Sequence, residues 1–151
     1  MNYWLMKSEP DVFSIDDLQK KGTSLWDGVR NYQARNFMTQ SMKVGDTVLF
    51  YHSNANPSGV VGLARVHAPA QPDPSQFDKK SEYYDPKATL DKPRWFCITV
   101  KFDQKFKKEV ALDEIKNTKS LKNMILVNRS RLSVQPVLET EFKTICKMGG
   151  L

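Results

Sequence analysis

The feature that most constrains this chain is a pair of apolar, β-rich runs, residues 47–52 and 59–66, separated by Ser53-Asn54-Ala55-Asn56-Pro57-Ser58. Short runs of β-branched and aromatic residues joined across turn-forming residues make an antiparallel hairpin. Further strands are expected at residues 3–7, broken by Ser8-Glu9-Pro10, at 95–102 with 105–110 pairing against it, and at 131–135 before Pro136. The helices between them are short. Ser14 and Asp17 form a variant capping box that opens a helix closed by Gly22, and Asn31 caps a second helix running to about Met42. Residues 112–116 and 121–127 read as helical turns, and 139–148 as a helix stopped by Gly149-Gly150.

A doubly wound parallel sheet needs long crossover helices, and this sequence has none. The expected class is therefore α+β: a curved mixed, mainly antiparallel sheet or small β-barrel with peripheral helices. Residues 68–94 carry five prolines yet also Phe77, Tyr83 and Tyr84, which predicts an ordered loop packed by its own aromatics. Gly59-Val60-Val61-Gly62 lies within a strand and predicts close backbone packing.

At 151 residues the chain has the size of one domain, and its 40% apolar and 11% aromatic content suits a packed core rather than disorder. No apolar run approaches the roughly 18 residues that cross a bilayer. The apolar start Tyr3-Trp4-Leu5-Met6 is cut short by Lys7 without a basic leader. The expectation is a soluble, cytoplasmic protein of one domain, residues 1–151, monomeric or weakly dimeric, with no membrane partner.

Cys97 and Cys146 stand far apart without a Cys-x-x-Cys partner, and His52 and His67 flank the hairpin without a carboxylate at ligand spacing. Neither a metal nor a phosphate-cradling glycine loop is implied, so no cofactor is expected. The charge of +6 is uneven: residues 101–131 hold nine basic and four acidic side chains, which is +5 of the total. Such a segment serves either as a solvated lysine-rich face or as an edge that meets a polyanion.

Four polar and aromatic clusters sit at element boundaries: Lys7-Ser8-Glu9-Pro10, Trp26 to Tyr32, His52-Ser53-Asn54 and Asn128 to Ser133. Aromatic faces beside amide, hydroxyl, carboxylate and cationic groups suit a flat polar ring such as a nucleobase, stacked and read at its edge. Each cluster also has an ordinary structural use. Trp26 and Trp4 can be core, Asn31 can be only a cap, Ser53-Asn54 only a turn, and spacing alone does not choose.

Blocks 3–10, 26–36, 50–54 and 129–136, with Tyr83-Tyr84-Asp85-Pro86 and Met148-Gly149-Gly150, closely resemble, in order, the blocks of the EVE domain family. The family is PUA-like and similar to YTH domains, which hold a methylated base in an aromatic pocket. The resemblance implies a non-catalytic reader of a modified base, 5-methylcytosine or 5-hydroxymethylcytosine in DNA or a modified base in RNA, turned out of its stack. It implies a base pocket of Lys7, Ser8, Trp26, Asp27, Asn31, Tyr32, Ser53 and Asn54. Trp26 would be one wall, with Tyr32, Trp95 or Trp4 as the second. Arg30, Arg35, Arg129 and Arg131 would meet phosphates. The alternatives are a base-processing hydrolase using Asp27 or Glu9, and a sensor of a small flat-ring ligand.

Overall fold

The computed structural model describes residues 2–128 and 131–151. Its strands are β1 (Tyr3–Ser8), β2 (Thr23–Leu25), β3 (Thr47–His52), β4 (Gly59–Pro72), β5 (Phe96–Ala111) and β6 (Val134–Val137). They form one sheet in the order β2-β5-β4-β3-β1-β6. The β1/β3 pair is parallel and the others are antiparallel, so the mixed, mainly antiparallel expectation holds. The sheet is open, ending in β2 and β6, and the barrel alternative is not adopted. Among the described residues five α-helices surround it: α1 (Ile15–Lys21), α2 (Tyr32–Asn36), α3 (Leu112–Lys116), α4 (Ile125–Asn128) and α5 (Glu139–Met148). None of the described helices is long and apolar enough to cross a membrane.

Both faces of the sheet are covered. Trp4, Met6, Val48, Phe50, Ile98 and Val100 pack with Ile15, Leu18 and Met38 on one face. Leu5, Leu49, Tyr51, Val60 and Val110 pack with Ile115, Leu121, Leu126 and Ile145 on the other. This explains why β3 is apolar along its length instead of alternating. Each fully buried aliphatic side chain contributes about 1.5–3 kcal/mol.

Local signals that the sequence carries are realised. The Ser14 hydroxyl accepts from the Asp17 N–H at 3.1 Å, and the Asp17 carboxylate accepts from the Ser14 N–H at 2.8 Å. His52 Nε2 accepts a further helix-start amide, Ile15 N–H, at 3.1 Å, which requires that nitrogen to be unprotonated. Burial lowers the His52 pKa in the same sense. A Cβ on Gly59 would lie 2.4 Å from the Val110 carbonyl oxygen, so the close backbone approach is real.

Other expectations are corrected. The runs expected at 95–102 and 105–110 are not two paired strands: from Phe96 onward they belong to the single β5, which pairs along β4. Four register shifts between β4 and β5 break what alternation would otherwise show. The helix from Asn31 ends its α-helical part at Asn36 and continues as a π-helical turn over Phe37–Ser41. The last strand runs over Val134–Val137, through Pro136, which an edge strand tolerates.

These bulges have a consequence for function. Register places Ser8, His52, Gly59 and Ala111 in one row at the end where β1 and β3 finish. Trp26 follows β2 at the far end of β5, where its N–H donates to the Ile98 carbonyl at 2.8 Å. Bulges increase strand coiling, and here the coiled sheet brings the Trp26 ring edge-on to Phe50 at 5.3 Å.

Candidate nucleic-acid interface

Where β1 and β3 end side by side, their turns are tied together. Ser53 N–H donates to the Ser8 carbonyl at 3.0 Å. Asn54, at a left-handed φ of 49°, donates its side-chain amide to Glu9 at 2.8 Å. The Ser8 hydroxyl donates to the Phe13 carbonyl at 2.5 Å, which leaves it only acceptor capacity toward a ligand.

The segment Trp26-Asp27-Gly28 is linked to this end of the sheet through Phe50, whose ring meets the Trp26 ring at 5.3 Å and the His52 ring at 5.7 Å. Trp26 is 7% exposed and belongs to the core, while Asp27 is exposed. Although the residue is exposed, partial desolvation of its carboxyl by the surrounding protein, with the nearby Asp73 adding, raises the Asp27 pKa above the ordinary carboxylate value. Gly28 has φ +80°, and a Cβ there would come within 2.7 Å of the Tyr83 ring. Only glycine suits this position, because the conformation disfavours other residues and the aromatic ring occupies the side-chain space.

Tyr83 is held there from below. The Arg30 guanidinium donates to the Tyr83 carbonyl at 2.8 Å, to the Ser75 hydroxyl at 3.1 Å and to Asp73 at 3.1 Å. Asp73 is fully buried and also accepts from the Gly28 N–H at 2.8 Å. Burial alone would push the Asp73 carboxyl up, but the Ser75 hydroxyl, Gly28 N–H and Arg30 together hold it below the usual range. Arg30, expected at phosphates, is thus committed to positioning Tyr83. Burial raises the Tyr83 hydroxyl pKa, with Glu82, Asp27 and Glu9 adding in that direction, so both ends of the site act on this ring.

The loop over residues 73–95 is ordered by a polar residue more than by its aromatics. The buried Gln76 amide donates to the Asp73 and Trp95 carbonyls at 2.8 and 2.7 Å and accepts from the Arg94 and Trp95 N–H groups at 3.0 Å. Neither Asp73 nor Gln76 stood out in the sequence, although Asp-Pro-Ser at 73–75 is a recognisable turn start. Tyr83 stood out as loop packing and as part of a family-like block, but not as a residue of the base pocket.

The remaining expected residues separate. Tyr32 stacks on Trp95 at 4.9 Å and 21°, with Arg35 beside it at 4.7 Å, and has no ring contact with Trp26. Trp4 donates to Asp46 at 3.0 Å inside the core and is no wall of this site. Asn31 is exposed, and its Oδ1 caps α2 by accepting from the Ala34 N–H at 2.9 Å. The half-buried Lys7 lies 5.7 Å from the Tyr51 ring on the opposite face of the sheet from Phe50, and burial lowers its pKa. Arg131 is exposed in the turn before β6, and Arg129 lies outside the described residues. Cys97, beneath the site, has its thiol pushed up to about 12 by burial, with Asp73 and Asp27 adding, so it is no nucleophile near neutral pH. The described residues contain no His, Cys, Asp and Glu group placed to hold a metal ion.

The family model described as EVE domain matches residues 2–148. This chain belongs to the EVE domain family. Mouse thymocyte nuclear protein 1 is 44% identical over 97% of this chain and 73% of its own length. A hypothetical protein from Leishmania major is 52% identical, with a TM-score of 0.95 over 99% of this chain and 94% of that one. The human THYN1 protein, solved in complex with 5-methylcytosine-containing DNA, is 40% identical with a TM-score of 0.94, over 100% of this chain and 99% of that one. The EVE domain here is therefore similar along its whole length to one that has been solved on modified DNA.

Proposed function

We propose that this EVE domain reads 5-methylcytosine in DNA by taking the base out of its stack, without chemical reaction. The observation that carries this is the likeness, over the whole chain, to the human protein solved with 5-methylcytosine-containing DNA. The local geometry supports it: the Tyr83 ring packs on Gly28 next to Asp27, and the Trp26 ring is linked through Phe50 to His52 where β1 and β3 end. Trp26 and Tyr83 are the walls, Asp27 meets the base edge with Ser8, Ser53 and Asn31, and Arg35 and Arg131 meet phosphates.

Base extrusion costs a few kcal/mol, and stacking returns about 1–3 kcal/mol per base. Burying one methyl adds about 0.8 kcal/mol, so preference over plain cytosine is expected to be tenfold or less. Binding to matched duplexes and RNA strands with cytosine, 5-methylcytosine and 5-hydroxymethylcytosine, at two salt concentrations, tests the reading. Preference for the methylated duplex with affinity falling steeply in salt supports it. Salt-independent binding of a small flat ring instead would support a sensor.

Asp27 gives a sharper prediction. An ionised carboxylate accepts a hydrogen bond from the cytosine N4 amino group, which thymine, carrying the same methyl, lacks. Asp27→Ala is expected to lower selectivity for 5-methylcytosine over thymine by about 1–3 kcal/mol. Its raised pKa fixes the sign with pH: wild-type affinity falls as acid protonates Asp27, beginning above the ordinary carboxylate range. The Asp27→Ala variant should lose that pH dependence. A raised carboxyl pKa also suits a general acid, so the same samples checked for free base or a mass change separate reading from hydrolysis.

A further inference from the structure

We propose that the outward face of Tyr32 is a second stacking site, which takes an unstacked nucleobase beside the one held at the Trp26–Gly28 turn. The proposal rests on the DNA-reader reading above. Tyr32 is 50% exposed although Trp95 covers one face of its ring. Arg35 lies 4.7 Å from the Tyr32 ring and 5.9 Å from the Trp95 ring, and the two rings are 4.9 Å apart. A guanidinium stacked directly opposite Trp95 would stand about twice as far from Trp95 as from Tyr32, so at 4.7 and 5.9 Å Arg35 lies to the side of the stack, and half of Tyr32 remains in water.

The ring is held at its face and at its hydroxyl. Trp95 donates its indole N–H to Asp85 at 2.8 Å, and Arg94 donates to the Tyr32 hydroxyl. The Arg30 guanidinium lies 5.2 Å from the Trp95 ring and 5.3 Å from the Tyr83 ring, which links Tyr32 to the wall of the base site. A large aromatic left half in water, preorganised by a buried ring, is suited to accept another π-face. The charge around it narrows the ligand. Arg35 bonds only neutral acceptors, the Asn36 side chain and the Arg94 carbonyl, so its positive charge has no carboxylate against it among the described residues. A flat ring carried on a phosphate backbone satisfies both groups at once, the base on Tyr32 and its phosphate toward Arg35. An extruded base leaves neighbours that have lost a stacking partner, which supplies such a ring.

The test uses the full chain and a duplex carrying 5-methylcytosine, with 2-aminopurine placed in turn at the adjacent positions and opposite the modified base. Wild-type protein is expected to quench one of these probes. Tyr32→Ala should abolish that quenching and weaken binding between about fivefold and a hundredfold, the range for loss of one stacked base. Tyr32→Phe keeps the ring without the hydroxyl and should stay within about twofold of wild type. Because this face does not touch the methyl, the ratio of affinities for methylated and plain duplex should be unchanged in every variant. Unchanged affinity in Tyr32→Ala, or a loss in Tyr32→Phe as large as in Tyr32→Ala, overturns the proposal, the second because it assigns the effect to the Arg94 bond. Equal wild-type affinity for methylated and plain duplex, with the Tyr32 effects intact, overturns the methyl-reading function and leaves this site standing. Absence of any duplex binding by wild type overturns both.

Discussion

Replacing Asp73 with alanine is expected to lower stability by about 3–5 kcal/mol, the usual cost of removing one partner from a buried ion pair. The carboxylate is fully buried and accepts from Gly28 N–H, Ser75 N–H, the Ser75 hydroxyl and Arg30, at 2.5–3.1 Å. Its loss strands the Gly28 amide and a guanidinium that is only 22% exposed and whose Nε already has no partner. For a chain of this size the melting temperature should fall by about ten degrees.

Asp73→Asn, which keeps the shape and removes the charge, separates hydrogen bonding from electrostatics by its pH profile. The folded-state pKa of Asp73 lies below its unfolded value, so its stabilisation is complete above about pH 4 and is lost as pH falls through the folded value. Melts from neutral to acid pH should therefore show a decline in wild type that is reduced in Asp73→Asn. Since Arg30 also holds Tyr83, Asp73→Ala should weaken DNA binding even at temperatures where it stays folded.

That ion pair also explains what could be read from the residues and what could not. Ser14 with Asp17, Asn31 at the start of α2, the hairpin of β3 and β4, and the Gly149-Gly150 stop after α5 are local devices, visible within a few positions. The continuity of β5 depends on pairing along a bulged β4, and neither strand announces the bulges by a regular period. The site has the same division. Trp26 and Asp27 came forward as part of a polar and aromatic cluster that the family resemblance assigned to the pocket, and Ser8, Glu9, Ser53 and Asn54 do form a linked pair of turns. Tyr83 reaches them through Arg30 and Asp73, which are 43 positions apart, and through Gln76, whose four hydrogen bonds all depend on the folded loop. Tyr32 shares a block with Trp26 in the sequence but faces Trp95, because the Asn31 cap starts a new helix between them.

Trp26→Ala is expected to cost about 3–5 kcal/mol of stability, as removal of a buried large aromatic does. Trp26 is 7% exposed and packs its ring against Phe50 at 85°, so its truncation opens a cavity between the curled end of β5 and the centre of the sheet. A loss of DNA binding in that variant would then have two sources, unfolding and a missing wall. Trp26→Phe separates them, because a smaller ring fills most of the space at about 1 kcal/mol, the centre of the range for single substitutions, yet offers less area to a stacked base. If Trp26 touches the base, Trp26→Phe should weaken binding to the methylated duplex by more than its stability loss accounts for, and should shift the ratio of methylated to plain duplex. If Trp26 only supports the floor, the folded fraction of either variant should bind like wild type, and Tyr83→Ala, at a 37% exposed position, should instead carry the larger loss. The comparison gives each wall's share in holding the modified base, since one ring is set by the core and the other by the Arg30–Asp73 clamp.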